Sequence, residues 1–585
     1  MTEGRVPGDG LRRIRTLALG LLLALAAIAL TLPLVMSRIR APQPTPTLFY
    51  RQDLIVLPLV CLAVLLFVPA RARGSWGPRL PWLATVRPGW WLAVAAAGLF
   101  ALCTWGHRGI LWGIDLSRDE QMAVFDAAIL HAGHLAAPIP ATWRGIAPAL
   151  NLLFILPIGD HAAWVSGYLP INAGLRALVA TVADPVVTSP LLVVVGLLAL
   201  AGIARRLWPE SPGSRRAVLL CYLCSSQIVI MGMTAYAMSA HLALNCVWLL
   251  LFLRGDRIGL AGTLVVGLLA TGVHQPLFHP LFALPFVLDL ARQHRWRRLV
   301  VYGVGYALIC GAWLAWPLWI SGLAGPVPAG NAPEGIDYAT RLRLVLAQVG
   351  GDAVWTMAAN LIRFVTWQHL LLLPLMLLGI VDGWRARPSG ETALVRPLAI
   401  GLVLPILVMG ILLPWQGHGW GYRYLHQVLG NACLLAGFGW QRAEAAGYDL
   451  RRAMWVTTGL SLLLLVVHGW MVRTMVAAQA VPELAIRRLP ADIVIIDATP
   501  AGADLVINAP DLRNRPIRLL GAALRPADIA PLCRRGRLAF VDAPQIDGLT
   551  AFYTGRHATQ ASDHQRALRA AAQQAGCVVM PGLNT

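Results

Sequence analysis

Lysine is missing altogether, so all 48 basic side chains are arginine, set against only 28 carboxylates. Charge of either sign makes up 13% of the chain, while 57% is hydrophobic, which is more apolar surface than a soluble core of 585 residues can hide. An ordinary soluble protein is thereby excluded. Walker-type loops, dinucleotide-binding glycine fingerprints and metalloprotease helix motifs are absent too, so nucleotide hydrolysis is not indicated. Neither an internal repeat nor a low-complexity tract is present. Cysteines are few, nine in all. Cys221 and Cys224 have CxxC spacing but fall in an apolar run with no second pair, which suits buried thiols better than a metal or redox centre. Cys533 and Cys577 stand apart in the polar tail, where an oxidising location would let them pair.

What the chain does contain is a series of apolar runs such as Leu17–Met36, Ile55–Ala70, Leu299–Ile320 and Met454–Val472. They approach the ~20 residues that a helix needs to cross ~30 Å of hydrocarbon. The net charge of +20 would suggest nucleic acid in a soluble protein, but these arginines stand in short clusters between the apolar runs. That is the positive-inside pattern, and no nucleic-acid partner follows from it. The clusters Arg12–Arg15, Arg71–Arg87, Arg205–Arg216, Arg254–Arg257, Arg292–Arg298, Arg385–Arg387 and Arg442–Arg452 then face the cytoplasm. Spans are expected near 16–36, 52–70, 88–106, 187–204, 218–235, 238–253, 258–273, 276–291, 299–320, 360–382, 396–414, 425–440 and 453–472, about 13 in all. This count puts the N-terminus in the cytoplasm and the C-terminal tail outside. Arg38, Arg40 and Arg51 break the pattern in the first outer loop. The N-terminal arginines before an apolar run resemble a signal peptide, but the run is long and no small-residue cleavage site follows, so a retained anchor is expected.

The expected fold is an all-α polytopic membrane protein with a small C-terminal α/β domain. Residues 1–87 form an N-terminal hairpin, 88–472 the transmembrane core with a long outer loop at 107–186, and 473–585 a soluble domain. In the tail, ADIVIID, ADLVINAP, RPIRLLG and RLAFVDAP read as short strands, followed by a polar helix near Gln560–Ala572. Segment 168–183 is apolar but interrupted by Pro170, Asn172 and Arg176, so it is expected to dip into the membrane, lie along its surface or pair with another short crossing.

Loops of this length usually act rather than connect. In the first, Asp119 and Glu120 stand just beyond a span and open a helical stretch, Glu120–Ala132. A carboxylate there is placed to take a proton from an acceptor hydroxyl or amine. The same acids would also suit the first turn of a surface helix. His107, His131, His134, His161, His241, His274, His279, His418 and His426 all fall on the outer side in this topology. Imidazole binds phosphate, orients hydroxyls or ligates metal. His274 and His279 in HQPLFHP are five apart, which is not a zinc-helix spacing, and no metal site is assigned. GHGWGYRYLHQ supplies His418, Trp420, Tyr422, Arg423 and His426, an arginine fork among aromatics that suits a lipid phosphate or diphosphate. A snorkelling arginine within an interfacial aromatic belt is the plainer reading of that stretch.

SRDEQMAVFDAAIL at 117–130, AWVSGYLPINAGLRAL at 163–178, LLALAGIARRLW at 197–208 and GWGYRYL at 419–425 together resemble the GT-C superfamily of membrane glycosyltransferases, which includes protein mannosyltransferases and aminoarabinose transferases. The resemblance covers roughly the middle three hundred residues. It implies transfer of a sugar from a polyprenyl-phosphate donor to a lipid, glycan or protein acceptor at the periplasmic face of a bacterial inner membrane. Asp119 would be the base with Glu120 beside it, and Tyr168 and Pro170 would match the family's Tyr-x-Pro element. His241, His274, His418, Arg423 and Tyr168 would line the donor phosphate. No cofactor is implied, and a divalent metal is not indicated. Ile171 and Asn172 replace the usual Pro-Gly continuation, and Tyr236 and His241 stand where members often carry an acid. Two other classes remain open from sequence. A lipid-linked-sugar transporter or flippase would want mid-bilayer charges and repeated halves. A non-catalytic assembly protein would use the tail to bind a partner and would function without Asp119 and Glu120.

Overall fold

The computed structural model describes residues 8–31, 44–68, 88–150, 154–159, 161–324, 342–343, 346, 353–385, 390–499 and 502–583. The arginines at 38, 40, 71–87 and 387 lie outside them. The helices that shape the molecule are α1 Gly8–Leu30, α2 Pro44–Phe67, α3 Pro88–Gly109, α4 Arg118–His131, α5 Ile171–Ala180, α6 Thr188–Leu207, α7 Pro212–Leu223, α8 Ser226–Met231, α9 Met238–Arg254, α10 Arg257–Thr271, α11 Phe278–Arg292, α12 Trp296–Ser321, α13 Ala353–Thr366, α14 Leu372–Arg385, α15 Val395–Leu412, α16 Leu429–Ala445 and α17 Arg451–Ile486. Among the described residues seven of these, α1, α2, α3, α6, α12, α15 and α17, are long and apolar enough to cross a bilayer as single helices. Exposed Leu308, Leu318, Trp319, Leu463 and Val466 on α12 and α17 give those helices the greasy surfaces that lipid requires. The chain is a polytopic membrane protein.

Two expected crossings are broken. The 218–235 run divides into α7 and α8 at Cys224–Ser225, and the 360–382 run divides into α13 and α14 around Trp367–Leu371. Backbone freed inside a membrane protein must find partners within the protein. Here the breaks satisfy each other: Gln227 N–H donates to Trp367 O at 3.2 Å, Ser225 Oγ–H to Gln368 Oε1 at 2.6 Å, and Gln368 Nε2 to Gln227 Oε1 at 2.9 Å. Segment 168–183 makes no crossing; its ordered part is α5, only ten residues long, packed along α4.

Small residues let the core helices approach closely. A methyl on Gly439 of α16 would sit 1.9 Å from Leu375 O of α14, and one on Gly379 of α14 would sit 2.2 Å from Leu435 O of α16. Neither contact is a side-chain tip that can swing away, so the two backbones themselves would have to separate.

Beyond the bundle, the 107–186 region carries an antiparallel sheet in the order β1-β3-β2, where β1 is Ala137–Pro138, β2 Ile155–Ile158 and β3 Ala163–Ser166. The tail carries a parallel sheet, order β5-β4-β6-β7, from β4 Ile493–Ile496, β5 Ile517–Leu520, β6 Leu538–Val541 and β7 Val579–Met580. Helices α18 Pro526–Cys533 and α19 Asp563–Gln574 supply crossovers. Three of the four strand expectations hold. ADLVINAP does not form a strand: it opens as a 3-10 turn over Gly502–Leu505, and arginine side chains occupy its carbonyls instead of a neighbouring strand. Cys533 and Cys577 form the expected disulfide, closing 44 residues. Helix α17 does not stop at 472 but runs unbroken to Ile486, joining the membrane bundle to the tail domain.

Gly439→Ala is expected to cost about 3 kcal/mol, the upper end of ordinary overpacking, read as a lower thermal transition of the purified protein in detergent. Gly459→Ala on α17, where nothing lies within 4 Å of the added methyl, is the neutral control.

Candidate functional site

Helix α4 starts with Ser117, whose side chain accepts from Glu120 N–H while Glu120 Oε2 accepts from Ser117 N–H at 3.1 Å, a reciprocal capping box. The box turns Glu120 inward, and its Oε1 takes Ala235 N–H at 3.3 Å. Glu120 is therefore occupied in fixing the helix start to the α8–α9 connection. Burial, with the Asp115 carboxylate adding to it, raises the Glu120 carboxyl above its ordinary value.

Asp119, one residue earlier, points the other way. Its Oδ1 accepts from the Tyr168 hydroxyl and its Oδ2 from Arg423 Nη1, across 304 residues of chain. Burial alone would raise the Asp119 carboxyl, but the Arg423 charge, His274 and the Tyr168 hydroxyl together outweigh it and hold the group at about 2. Asp126, two helical turns further along the same face, accepts Ser166 N–H at 2.9 Å and Ser166 Oγ–H, so β3 is pinned to α4 and Tyr168 is delivered to Asp119. Leu169 N–H donates to His274 O at 3.3 Å and Ile171 N–H to Gly272 O at 3.0 Å. These bonds lay the Tyr168 ring over the His274 imidazole, centroids 4.5 Å apart. Burial lowers His274 to about 4, Asp119 opposing the shift and Arg423 adding to it, so the ring is neutral near pH 7.

Arg423 is placed by a loop that the broken helices hold. Its N–H donates to Gln416 Oε1 at 2.9 Å, Gln416 Nε2 donates to Asn360 Oδ1 at 3.0 Å and Gly421 O at 3.1 Å, and Gln227 Nε2 donates to Tyr422 O at 2.9 Å. Gly421 is needed in that turn: its φ is +64°, and a methyl there would meet Gln227 Oε1 at 2.4 Å. The guanidinium lies over Tyr236 and Tyr424, 5.2 and 5.0 Å from their centroids. Beneath the loop, Arg363 Nη2 donates to Gly419 O at 3.0 Å while its Nε sits 3.5 Å from Asp53 Oδ2, both side chains fully buried. Helix α2 thus reaches the site through Asp53.

The tail domain reaches it as well. Arg118, 4% exposed, donates to Val506 O at 3.2 Å and to Ala503 O, and its Nε lies 3.6 Å from Asp504 Oδ1. Gln121 Nε2 donates to Asp504 O at 3.0 Å, and Trp164 Nε1 to Pro510 O at 2.9 Å. Tyr553 Oη and His418 Nδ1 are 2.7 Å apart.

A small hollow lined by Asp119, Asp126, Tyr168, Asn172, Tyr236 and His274 lies at the meeting point. Both ring nitrogens of His274, Arg423 Nε and Asn172 Oδ1 are buried without a hydrogen-bond partner. Buried polar atoms are usually satisfied, so a cluster of free ones beside a clamped carboxylate is a place prepared for a polar ligand. Of the residues singled out from sequence, Asp119, Tyr168, His274 and Arg423 come together here. Glu120 is turned away, His418 is engaged by Tyr553, and His241 is buried in the first turn of α9 against the Phe278 ring, outside the lining of the hollow. His279 bonds Asn245 and Tyr306 at 2.7 Å each, within the bundle. Among the described residues no three His, Cys, Asp or Glu side chains converge as a metal set. Sequence reasoning missed Arg118, Asp53, Arg363, Gln416 and Tyr553. Arg363 did carry a signal, a lone charge in an otherwise apolar run.

Because the folded Asp119 is more acidic than a free aspartate, its contribution to stability is complete above pH ~4 and disappears as pH falls through ~2. The melting difference between the wild type and Asp119→Asn should be worth roughly 2 kcal/mol at pH 6 and should close between pH ~4 and ~2. Arg118→Gln should speed backbone hydrogen exchange across 503–508, measured by mass spectrometry, without altering exchange in α14 and α16.

No family model matches the sequence, and no curated protein matches it. Two crystal structures of ArnT from Cupriavidus metallidurans share similarity with the fold. The apo form aligns over 72% of this chain and 84% of its own at 11% identity and a TM-score of 0.47. The form bound to undecaprenyl phosphate aligns over 85% and 90% at 14% identity and a TM-score of 0.44. At these values nothing of that protein's activity or ligand is carried over to this chain.

Proposed function

We propose that this chain is an inverting membrane glycosyltransferase that moves a sugar from a polyprenyl-phosphate donor onto an envelope acceptor, working at the periplasmic face of a bacterial inner membrane. The observation that carries the proposal is the pairing of Asp119 with Arg423 next to the unpartnered nitrogens of His274 and Arg423. A carboxylate and an anion-binding fork side by side are what glycosyl transfer from a phosphate needs. The resemblance of SRDEQMAVFDAAIL, AWVSGYLPINAGLRAL and GWGYRYL to GT-C glycosyltransferases supports the same reading.

In the reaction, Asp119 accepts the proton of the acceptor hydroxyl as that oxygen attacks the anomeric carbon. The bond from that carbon to the phosphate oxygen breaks, and its electron pair leaves on the phosphate. Arg423 stabilises the growing charge, with the neutral His274 as a hydrogen-bond donor. The resting pair also supplies a control. While Arg423 holds Asp119 at about 2, the carboxylate is a weak base. A donor phosphate draws the guanidinium toward itself, and relief from that charge makes Asp119 more basic only when the donor is bound. Lipid partners follow from the donor's polyprenyl tail, and the tail domain, clasped to the start of α4, borders the side from which an acceptor arrives.

Asp119→Asn should melt at a lower temperature, remain folded at the assay temperature, and show transfer at least about 1,000-fold below wild type, the upper range of a general-base contribution. The measurement is loss of a sugar modification from membrane lipids or envelope glycans, by mass spectrometry, in cells carrying the variant. Wild-type modification in those cells would remove Asp119 from the reaction. Arg423→Lys should retain a charge yet lose the fork, weakening donor binding more than it disturbs folding.

A further inference from the structure

At the opposite end of the bundle from Asp119 lies a cavity of about 610 Å³, lined mostly by aliphatic side chains. Its walls come from the start of α3, the end of α6, the length of α7 and the start of α17. Helix α3 leads from here to Gly109 and onward to the Asp115–Asp119 segment, so the two sites are separated by the length of a membrane-spanning helix. Trp90, Trp91 and Trp455 also line it, with Trp90 69% and Trp455 42% exposed. Arg205, Arg215 and Arg216 line the same cavity.

No side-chain ion pair or hydrogen bond joins any of these three arginines to a described residue. Glu444, a carboxylate at this end, instead accepts from Ser211 Oγ at 3.4 Å. Three guanidinium groups around one apolar cleft repel each other, and an anion placed among them relieves that repulsion. The aliphatic walls call for hydrocarbon, and tryptophans at helix ends mark the level of headgroups. Basic pockets between helices on the arginine-rich side of a membrane protein meet these needs with an acidic phospholipid. We infer that this cleft binds an anionic phospholipid from the leaflet facing the arginine clusters, its phosphate held by Arg205, Arg215 and Arg216 and its acyl chains lying along the apolar walls. The site takes a resident lipid and is separate from the Asp119 chemistry.

The test uses the full-length protein in nanodiscs of phosphatidylethanolamine with and without cardiolipin, the bound lipid being counted by native mass spectrometry. Wild type should retain cardiolipin. Arg205→Gln/Arg215→Gln/Arg216→Gln should bind it on the order of 100-fold more weakly, as expected for three surface arginines each facing an anionic headgroup. Arg205→Lys/Arg215→Lys/Arg216→Lys, which preserves the charge, should restore most of the binding and thereby exclude misfolding as the cause. Equal cardiolipin retention by wild type and the glutamine variant would overturn the assignment. So would displacement of the lipid by millimolar inorganic pyrophosphate, which would make the cleft a site for a soluble anion, or an unchanged cleft in which only phosphatidylethanolamine is found.

Discussion

The molecule is organised around one buried ion pair. Asp119 and Arg423 come from segments 304 residues apart and meet where water has little access. Burying two charges is costly, and the cost is recovered only if each keeps good hydrogen bonds and is held in place. Much of the surrounding architecture does this holding. The capping box and Arg118 fix one side; Gln416, Gln227 and the Arg363–Asp53 pair fix the other. Breaking two membrane helices is tolerable because the exposed backbone at both breaks contributes to the same support.

How much of this the sequence discloses depends on how local the physics is. Hydropathy and arginine spacing reveal the membrane class because lipid acts on every residue of a span in the same way. The start of α4 is legible for a similar reason: Ser117 with Glu120 three residues on is a capping signal contained in four residues. Asp119, Tyr168, His274 and Arg423 were each visible as chemistry-bearing residues, and the family resemblance put them at one site together with His241 and His418, but the geometry of their meeting was not visible. It rests on backbone bonds such as Ile171 to Gly272, for which composition and spacing leave no trace.

The misread segments are instructive in the same terms. ADLVINAP has the short apolar run of a strand between turn signals, but the carbonyls of Ala503, Leu505 and Val506 are taken by Arg118 and Arg518, which no local pattern can foresee. Apolar runs at 218–235 and 360–382 look continuous because the residues that end their helices, Ser225 and Gln368, are too few to lower a mean hydropathy. Glu120 looked like a partner for Asp119 because the two are adjacent. On a helix, adjacent side chains diverge by about 100°, and these two face different neighbours.

Helix α17 has a mechanical consequence. Its 36 residues form a single rod about 54 Å long, of which the bilayer takes up roughly 30 Å. Along the remainder Val472, Met475, Val476 and Ala480 are fully buried, and Gly548–Thr554 of the tail packs against the rod. That domain is therefore held flush against the rod and the bundle, unlike a module on a flexible tether. A tilt of the rod would carry the domain with it, so a movement of the bundle is transmitted to the tail without a hinge between them.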